Sequence, residues 1–271
     1  MVFVVSLLIG LSTAFIGSLM GLGGGIILVP TLLFIASVSD TFSWATPQAI
    51  VGISLVVMIF TGLSSTLAYL KVRRVDYRTG FLFLIGSIPG GIFGSWLNQF
   101  VEAGPFQLYF GILMIFIAII LFFKKDEPRS VELKGKGVRT FELYGIRYQY
   151  KVNPIAAVTL AFCVGILSGL FGIGGGSIMV PAMILFFGVP VHIATATSMF
   201  MIFFVSIFSS ITHIALGHVV WKYVLLFIPG AWIGGRLGAK VNQMLSSQVL
   251  EWILRGLLIL IGIRMIIQGL S

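Results

Sequence analysis

Gly21-Leu-Gly-Gly-Gly-Ile-Ile-Leu-Val-Pro30 recurs in the second half of the chain as Gly172-Ile-Gly-Gly-Gly-Ser-Ile-Met-Val-Pro181. Gly21, Gly23, Gly24, Gly25, Ile27, Val29 and Pro30 are unchanged between the copies. Four glycines in five positions do not continue a regular helix cheaply, since each costs up to about 1 kcal/mol against alanine. Each copy therefore predicts a break in the chain, followed by a short apolar piece, 26–37 and 177–188. At about 1.5 Å per residue these pieces are too short to cross a hydrocarbon core of roughly 30 Å. Working outward, the same landmarks follow in the same order. Gln48 to Ser54 falls over His192 to Ser198, Thr66 over Ser210, and Pro89 to Gly94 over Pro229 to Gly234.

The surroundings are those of a membrane. Of 271 residues, 58% are hydrophobic and 9% charged, with a mean hydropathy of +1.12. That leaves too little polar surface for a soluble domain, and the single cysteine, Cys163, excludes a disulfide scaffold. Apolar runs place spans at 3–20, 46–70, 79–97, 106–123, 153–172, 190–216, 222–240 and 248–268. The expected fold is all-α, a polytopic membrane protein of about eight transmembrane helices in two repeats, each with a glycine-broken or re-entrant short helix. The repeats cover 1–123 and 152–271, and the basic segment 124–151 joins them. No removable leader is expected, because the amino terminus lacks a basic region before its first apolar run.

The net charge of +9 sits mainly in two places. Lys71, Arg73, Arg74 and Arg78 form one knot, and 124–151 holds eight basic and four acidic residues. Such clusters beside apolar spans mark cytoplasmic segments, so the charge calls for a bilayer and not for nucleic acid. If both clusters face the cytoplasm, 79–97 and 106–123 cross as a pair and the acidic link 98–105 lies outside. The segment 124–151 is expected to be dispensable for the bundle, since it lacks the apolar content for a core.

Irregular backbone at membrane depth must be buried in protein or line a wet cavity. A helix starting there presents free N–H groups and a positive dipole end, and glycine lets a ligand approach the backbone closely. Two such starts facing each other form an anion site; the alternative is a seam of small residues for helix packing. Duplication of the whole motif favours the site, so Gly23, Gly24, Gly25, Gly174, Gly175, Gly176 and Ser177 are candidate substrate-binding residues.

The two glycine motifs, the stretch Ala194-Thr-Ala-Thr-Ser198 and Pro229-Gly-Ala231 with Gly234 resemble the sulfite exporter TauE/SafE family, also called the 4-toluene sulfonate uptake permeases. The resemblance covers nearly the whole chain. It implies transport of sulfur-containing anions, such as sulfite, sulfonates, sulfoacetate or thiosulfate, across a bacterial-type inner membrane. The first copy departs from the pattern, because Ile50-Val-Gly-Ile-Ser54 lacks the threonines found at 195 and 197.

Three anionic oxygens need donors, which adds Gln48, Ser54, His192, Thr195 and Ser198 at the helices after each short piece. Ser and Thr also bond back to their own helix or join neighbouring helices. His213 and Arg236 are ionisable groups within spans, where the other copy has Tyr69 and Trp96, although Arg236 has the reach to snorkel. Glu251 and Arg255 are four apart and suited to pair. No cofactor or resident metal is expected. The rival readings are a membrane-embedded enzyme such as a lipid phosphatase, which needs a nucleophile with a base or clustered carboxylates, and a soft-metal transporter, which needs clustered ligands from the ten Met, three His and Cys163.

Overall fold

The computed structural model describes residues 2–38, 45–122, 137–143 and 145–270; Asp40 and the 124–136 part of the basic segment lie outside them. Ten helices follow in chain order: α1 (Val2–Met20), α2 (Gly25–Val38), α3 (Pro47–Lys71), α4 (Tyr77–Leu97), α5 (Ala103–Phe122), α6 (Pro154–Phe171), α7 (Gly176–Phe187), α8 (Val191–Ala215), α9 (Trp221–Asn242) and α10 (Ser247–Leu270). They form a polytopic helical membrane protein. Seven, namely α1, α3, α4, α6, α8, α9 and α10, are long and apolar enough to cross a bilayer among the described residues, and α5 adds an apolar stretch of 20 residues. The expected spans match these helices to within a few residues. Both short pieces are helices of 14 and 12 residues, and Pro30 and Pro181 lie inside them without ending them.

The helices pair across the halves. α1 packs on α9 and α4 on α6; α3 packs on α8, and α5 on α10. Glycine makes the closest of these contacts possible. A Cβ at Gly86, Gly90 or Gly94 would fall 2.0–2.2 Å from the carbonyl oxygens of Val158, Phe162 and Ile166 on α6. One at Gly230, Gly234 or Gly238 would fall 2.1–2.2 Å from those of Leu7, Leu11 and Phe15 on α1. Small residues one turn apart let backbones touch where lipid offers no hydrophobic drive to associate.

These contacts correct the alignment of the halves. Leu7, Leu11 and Phe15 precede the first glycine motif as Val158, Phe162 and Ile166 precede the second, so Gly86 corresponds to Gly230 and Gly94 to Gly238. Pro89 and Pro229 are therefore one helical turn out of register. The counterpart of Arg236 is Ile92, and that of Trp96 is Lys240.

The polar contacts fix the direction of each helix. Gln48 at the start of α3 donates to the Val101 carbonyl beyond the end of α4 at 2.8 Å. At the opposite end of α3, Arg74 reaches His192, the second residue of α8, at 3.1 Å and Asn242, the last of α9, at 3.1 Å. Gly52, early in α3, lies against the His218 carbonyl just past the end of α8. α3 and α8 thus run antiparallel, and the α1–α2 and α6–α7 pairs enter the bundle from opposite ends.

Part of the basic segment is regular and packs on the bundle. Residues 138–151 form a hairpin of β1 (Val138–Leu143) and β2 (Ile146–Lys151), paired antiparallel, with Leu143 and Tyr150 buried. Tyr150 donates to Asp76 at 2.5 Å, and Arg139 donates to Thr79 at 2.6 Å. Asp76 caps α4 by accepting from the N–H groups of Arg78 and Thr79, and it also accepts from the Thr79 hydroxyl. Burial and the Asp76 carboxylate push the Tyr150 hydroxyl well above its ordinary pKa, so it stays protonated as a donor. The apolar content is small, but alternation along the two strands puts Leu143 and Tyr150 on one face. Tyr150→Phe should leave a buried Asp76 oxygen short of a donor and cost about 1–3 kcal/mol in thermal unfolding; an unchanged melting temperature would show the hairpin to be undocked.

The hairpin and the 71–78 knot lie at one end of the bundle, hereafter the basic end. In a Cys163→Ser background, needed because Cys163 is exposed, cysteines at Gly145 and at exposed Phe100 should react with impermeant reagent from opposite sides of the membrane. Reaction from one side would overturn this arrangement.

Candidate functional site

Both breaks are built by left-handed glycines. Gly21, Gly23 and Gly24 have φ of +75°, +82° and +96°, and Gly172, Gly174 and Gly175 have +67°, +68° and +72°. A side chain at such angles costs roughly 1–2 kcal/mol, which is why the motif is glycine and not alanine. Gly172 stops α6 by donating its N–H to the Ser168 carbonyl at 2.9 Å. The chain then turns through Gly175 and restarts as α7.

The two breaks lie against each other. A Cβ at Gly25 would fall 2.1 Å from the Gly172 carbonyl oxygen, and one at Gly176 would fall 2.3 Å from that of Gly21. The carbonyls are held by reciprocal hydrogen bonds: the Ser54 hydroxyl donates to Gly172 at 2.8 Å, and the Ser198 hydroxyl donates to Gly21 at 2.7 Å. Met58 and Ile202, equivalent residues on α3 and α8, pack against Gly23 and Gly174 between the breaks. The starts of α2 and α7 meet here, each with first-turn N–H groups that have no acceptor in their own helix.

The second break differs from the first in having unpartnered hydroxyls. Ser168 and Ser177 are fully buried, and their hydroxyls have no hydrogen-bond partner among the described residues. Pro181 has no N–H, so the Ser177 carbonyl also lacks its usual partner along α7. A void of about 10 Å³ touches Ser168, Gly174, Gly175, Gly176 and Ser198, room for about one water. The space between the breaks is closed in this conformation, with no room for anything larger than a water.

The remaining candidates are scattered by role. Gln48 bonds to the end of α4, and Thr195 bonds back to Val191 at 3.0 Å and His192 at 3.1 Å. His192 faces Arg74; a guanidinium only donates, so the His192 Nδ1 accepts and its proton sits on Nε2. His213 is buried, with its Nδ1 3.1 Å from that of His218 and its Nε2 3.5 Å from the Gly169 carbonyl. Burial lowers the pKa of His218, which lies between α8 and α9. Tyr69, the counterpart of His213, likewise donates to the Ser18 carbonyl at 2.9 Å. Arg236 lines a separate groove between α3 and α9 and not the void at the breaks. Glu251 and Arg255 are 3.5 Å apart, as their spacing suggested.

Sequence reasoning passed over Arg74, which is only 2% exposed, and the pair Asn98 and Asn242. Asn98 donates to the Leu170 carbonyl at 2.8 Å and Asn242 to that of Leu19 at 2.7 Å, so each ties a helix end to a residue two before a break in the other half. The matched position of the two asparagines was the available signal.

Comparison with known proteins agrees with this architecture. The model of the family described as Sulfite exporter TauE/SafE matches residues 6–265. A probable membrane transporter protein, YunE, of Bacillus subtilis is 46% identical over 272 residues, covering 100% of this chain and 99% of that one. A probable membrane transporter protein of Methanocaldococcus jannaschii is 26% identical, covering 96% and 94%, and one of Xylella fastidiosa is 25% identical, covering 84% and 80%. No solved structure matches. With a family model spanning almost its full length and helices that cross a bilayer many times, the chain belongs to the sulfite exporter TauE/SafE family of membrane transporters.

Proposed function

We propose that this transporter moves small sulfur-containing anions, of the sulfite, sulfonate, sulfoacetate or thiosulfate class, outward across the inner membrane, and that the facing glycine breaks are its substrate site. The observation that carries the reading is the meeting of two helix starts at one buried point, beside the unpartnered hydroxyls of Ser168 and Ser177. N–H groups and hydroxyls are the donors that an oxyanion takes, and two positive dipole ends favour its charge. We further propose two repeats, 1–123 and 152–271, with the basic end in the cytoplasm, where the positive-inside bias puts it.

Purified protein should bind radiolabelled sulfite and not copper(I). Copper binding without sulfite binding would replace this reading with soft-metal transport. The serines separate support from contact. Ser198→Ala strands the buried Gly21 carbonyl and should destabilise the protein by about 1–3 kcal/mol. Ser177→Ala removes a hydroxyl without a partner, so the melting temperature should hold while sulfite affinity falls about tenfold, for a charge-assisted bond worth about 1.5 kcal/mol. Unchanged sulfite affinity in a folded Ser177→Ala protein would remove that hydroxyl from the site.

A further inference from the structure

We propose that the groove between the carboxyl-terminal halves of α3 and α9 binds an anionic phospholipid, held through its headgroup phosphate by Lys71, Arg236 and Lys240. The groove encloses about 690 Å³ and is lined by these three cations together with Leu67, Leu70 and Trp232. That volume is within the range of small-ligand sites. Among the described residues no carboxylate lines it, and none of the three cations forms a salt bridge.

The chemistry is graded along the helix axes as a phospholipid is. Trp232, Arg236 and Lys240 are successive turns on one face of α9, about 6 Å apart in rise, and Leu67 and Lys71 are one turn apart on α3. Leu67 and Trp232 are exposed on the lipid side, where acyl chains and glycerol would lie. Arg236 comes next, and the two lysines stand at the helix ends, level with headgroups. Lysines at helix carboxyl termini are favourable by themselves, but Arg236 lies a full turn deeper. There a guanidinium is costly unless it snorkels to the interface or an anion meets it.

The fold does not demand these charges. In the matching groove between α8 and α4, the corresponding residues are Ala215, Ile92 and Trp96. Trp96 stacks there on Phe93 and packs edge-on to Phe100. One position carries uncharged, aromatic and aliphatic side chains, and the other is a positive groove. An exposed concavity at this level is filled by lipid, and basic pockets between helices at the cytoplasmic face select anionic headgroups. The lipid site is independent of which anion is transported.

The test uses purified full-length protein in neutral detergent, titrated with phosphatidylglycerol, phosphatidylcholine or glycerol 1-phosphate and read by native mass spectrometry. Three cations at about 1 kcal/mol each predict a preference for phosphatidylglycerol over phosphatidylcholine of about a hundredfold, weakened by salt. The preference should vanish in Lys71→Gln/Arg236→Gln/Lys240→Gln and persist in Lys222→Gln, which removes a cation at the opposite end. Equal affinity for the two lipids in the unmodified protein would overturn the proposal, even if the triple variant fails to fold. Binding of glycerol 1-phosphate as tight as that of the lipid would reassign the groove to a soluble anion. So would sulfite displacing the bound lipid.

Discussion

A Gly175→Ala protein is expected to insert and fold yet carry no measurable anion flux, whereas Gly25→Ala should fail to assemble. The difference lies in what the added methyl group meets. At Gly25 it falls 2.1 Å from the Gly172 carbonyl oxygen and 2.8 Å from the Ser54 hydroxyl that holds this carbonyl. Neither group moves without parting the two breaks, so the overlap costs at least the roughly 1–3 kcal/mol of an overpacked core and breaks a buried bond as well. At Gly175 the nearest atoms are the side chains of Ser168 and Val164 at 3.5 Å, which is ordinary contact. The remaining penalty is the left-handed backbone, roughly 1–2 kcal/mol, which a folded bundle tolerates. The methyl group nevertheless fills the small void beside Ser168 and keeps an anion from the N–H groups of α7. Retained melting behaviour with lost sulfite binding is the expected result. Full flux from Gly175→Ala would make the glycines a packing seam and nothing more.

Sulfite flux through reconstituted protein should follow an imposed voltage with no pH gradient present. Glu251, the single acid within a described membrane-crossing helix, is paired to Arg255 at 3.5 Å, so no carboxylate is left to carry a proton at depth. An inside-negative potential favours anion exit by about 2.3 kcal/mol per charge per 100 mV, roughly a fiftyfold concentration ratio for a monovalent anion. That is sufficient for export without coupling. The competing carrier is the His213–His218 pair, whose 3.1 Å contact requires one Nδ1 to donate and the other to accept. Burial depresses the His218 pKa below its ordinary 6.5, so the neutral form prevails above that pH. At fixed voltage, flux of an anion that does not itself titrate near neutral pH, such as a sulfonate, should therefore be level between about pH 7 and 8. Flux that ignores voltage, tracks an imposed pH gradient and loses that response in His213→Gln would make the pair the proton carrier and end the voltage-driven model.

The spans, the breaks and the membrane were legible in the sequence because each is a local property. Hydrophobic runs of about 20 residues report a bilayer without reference to any partner, and glycines such as Gly23 and Gly174 report positive φ wherever they are folded. Three things were decided only by tertiary structure. The register of α4 against α9 was one, because a shift of four residues keeps nearly the same helix face at 3.6 residues per turn and aligned Pro89 with Pro229 plausibly. The roles of the hydroxyls were another. Ser54 and Ser198 have the chemistry of ligands, but their partners are carbonyls 118 and 177 residues away, and no spacing along one helix reveals an acceptor in the opposite half. The last was the opposed direction of the two halves. Glycine motifs read the same in either sense, and only the meeting of Arg74 with His192, and of Gly52 with His218, shows that α8 descends where α3 climbs.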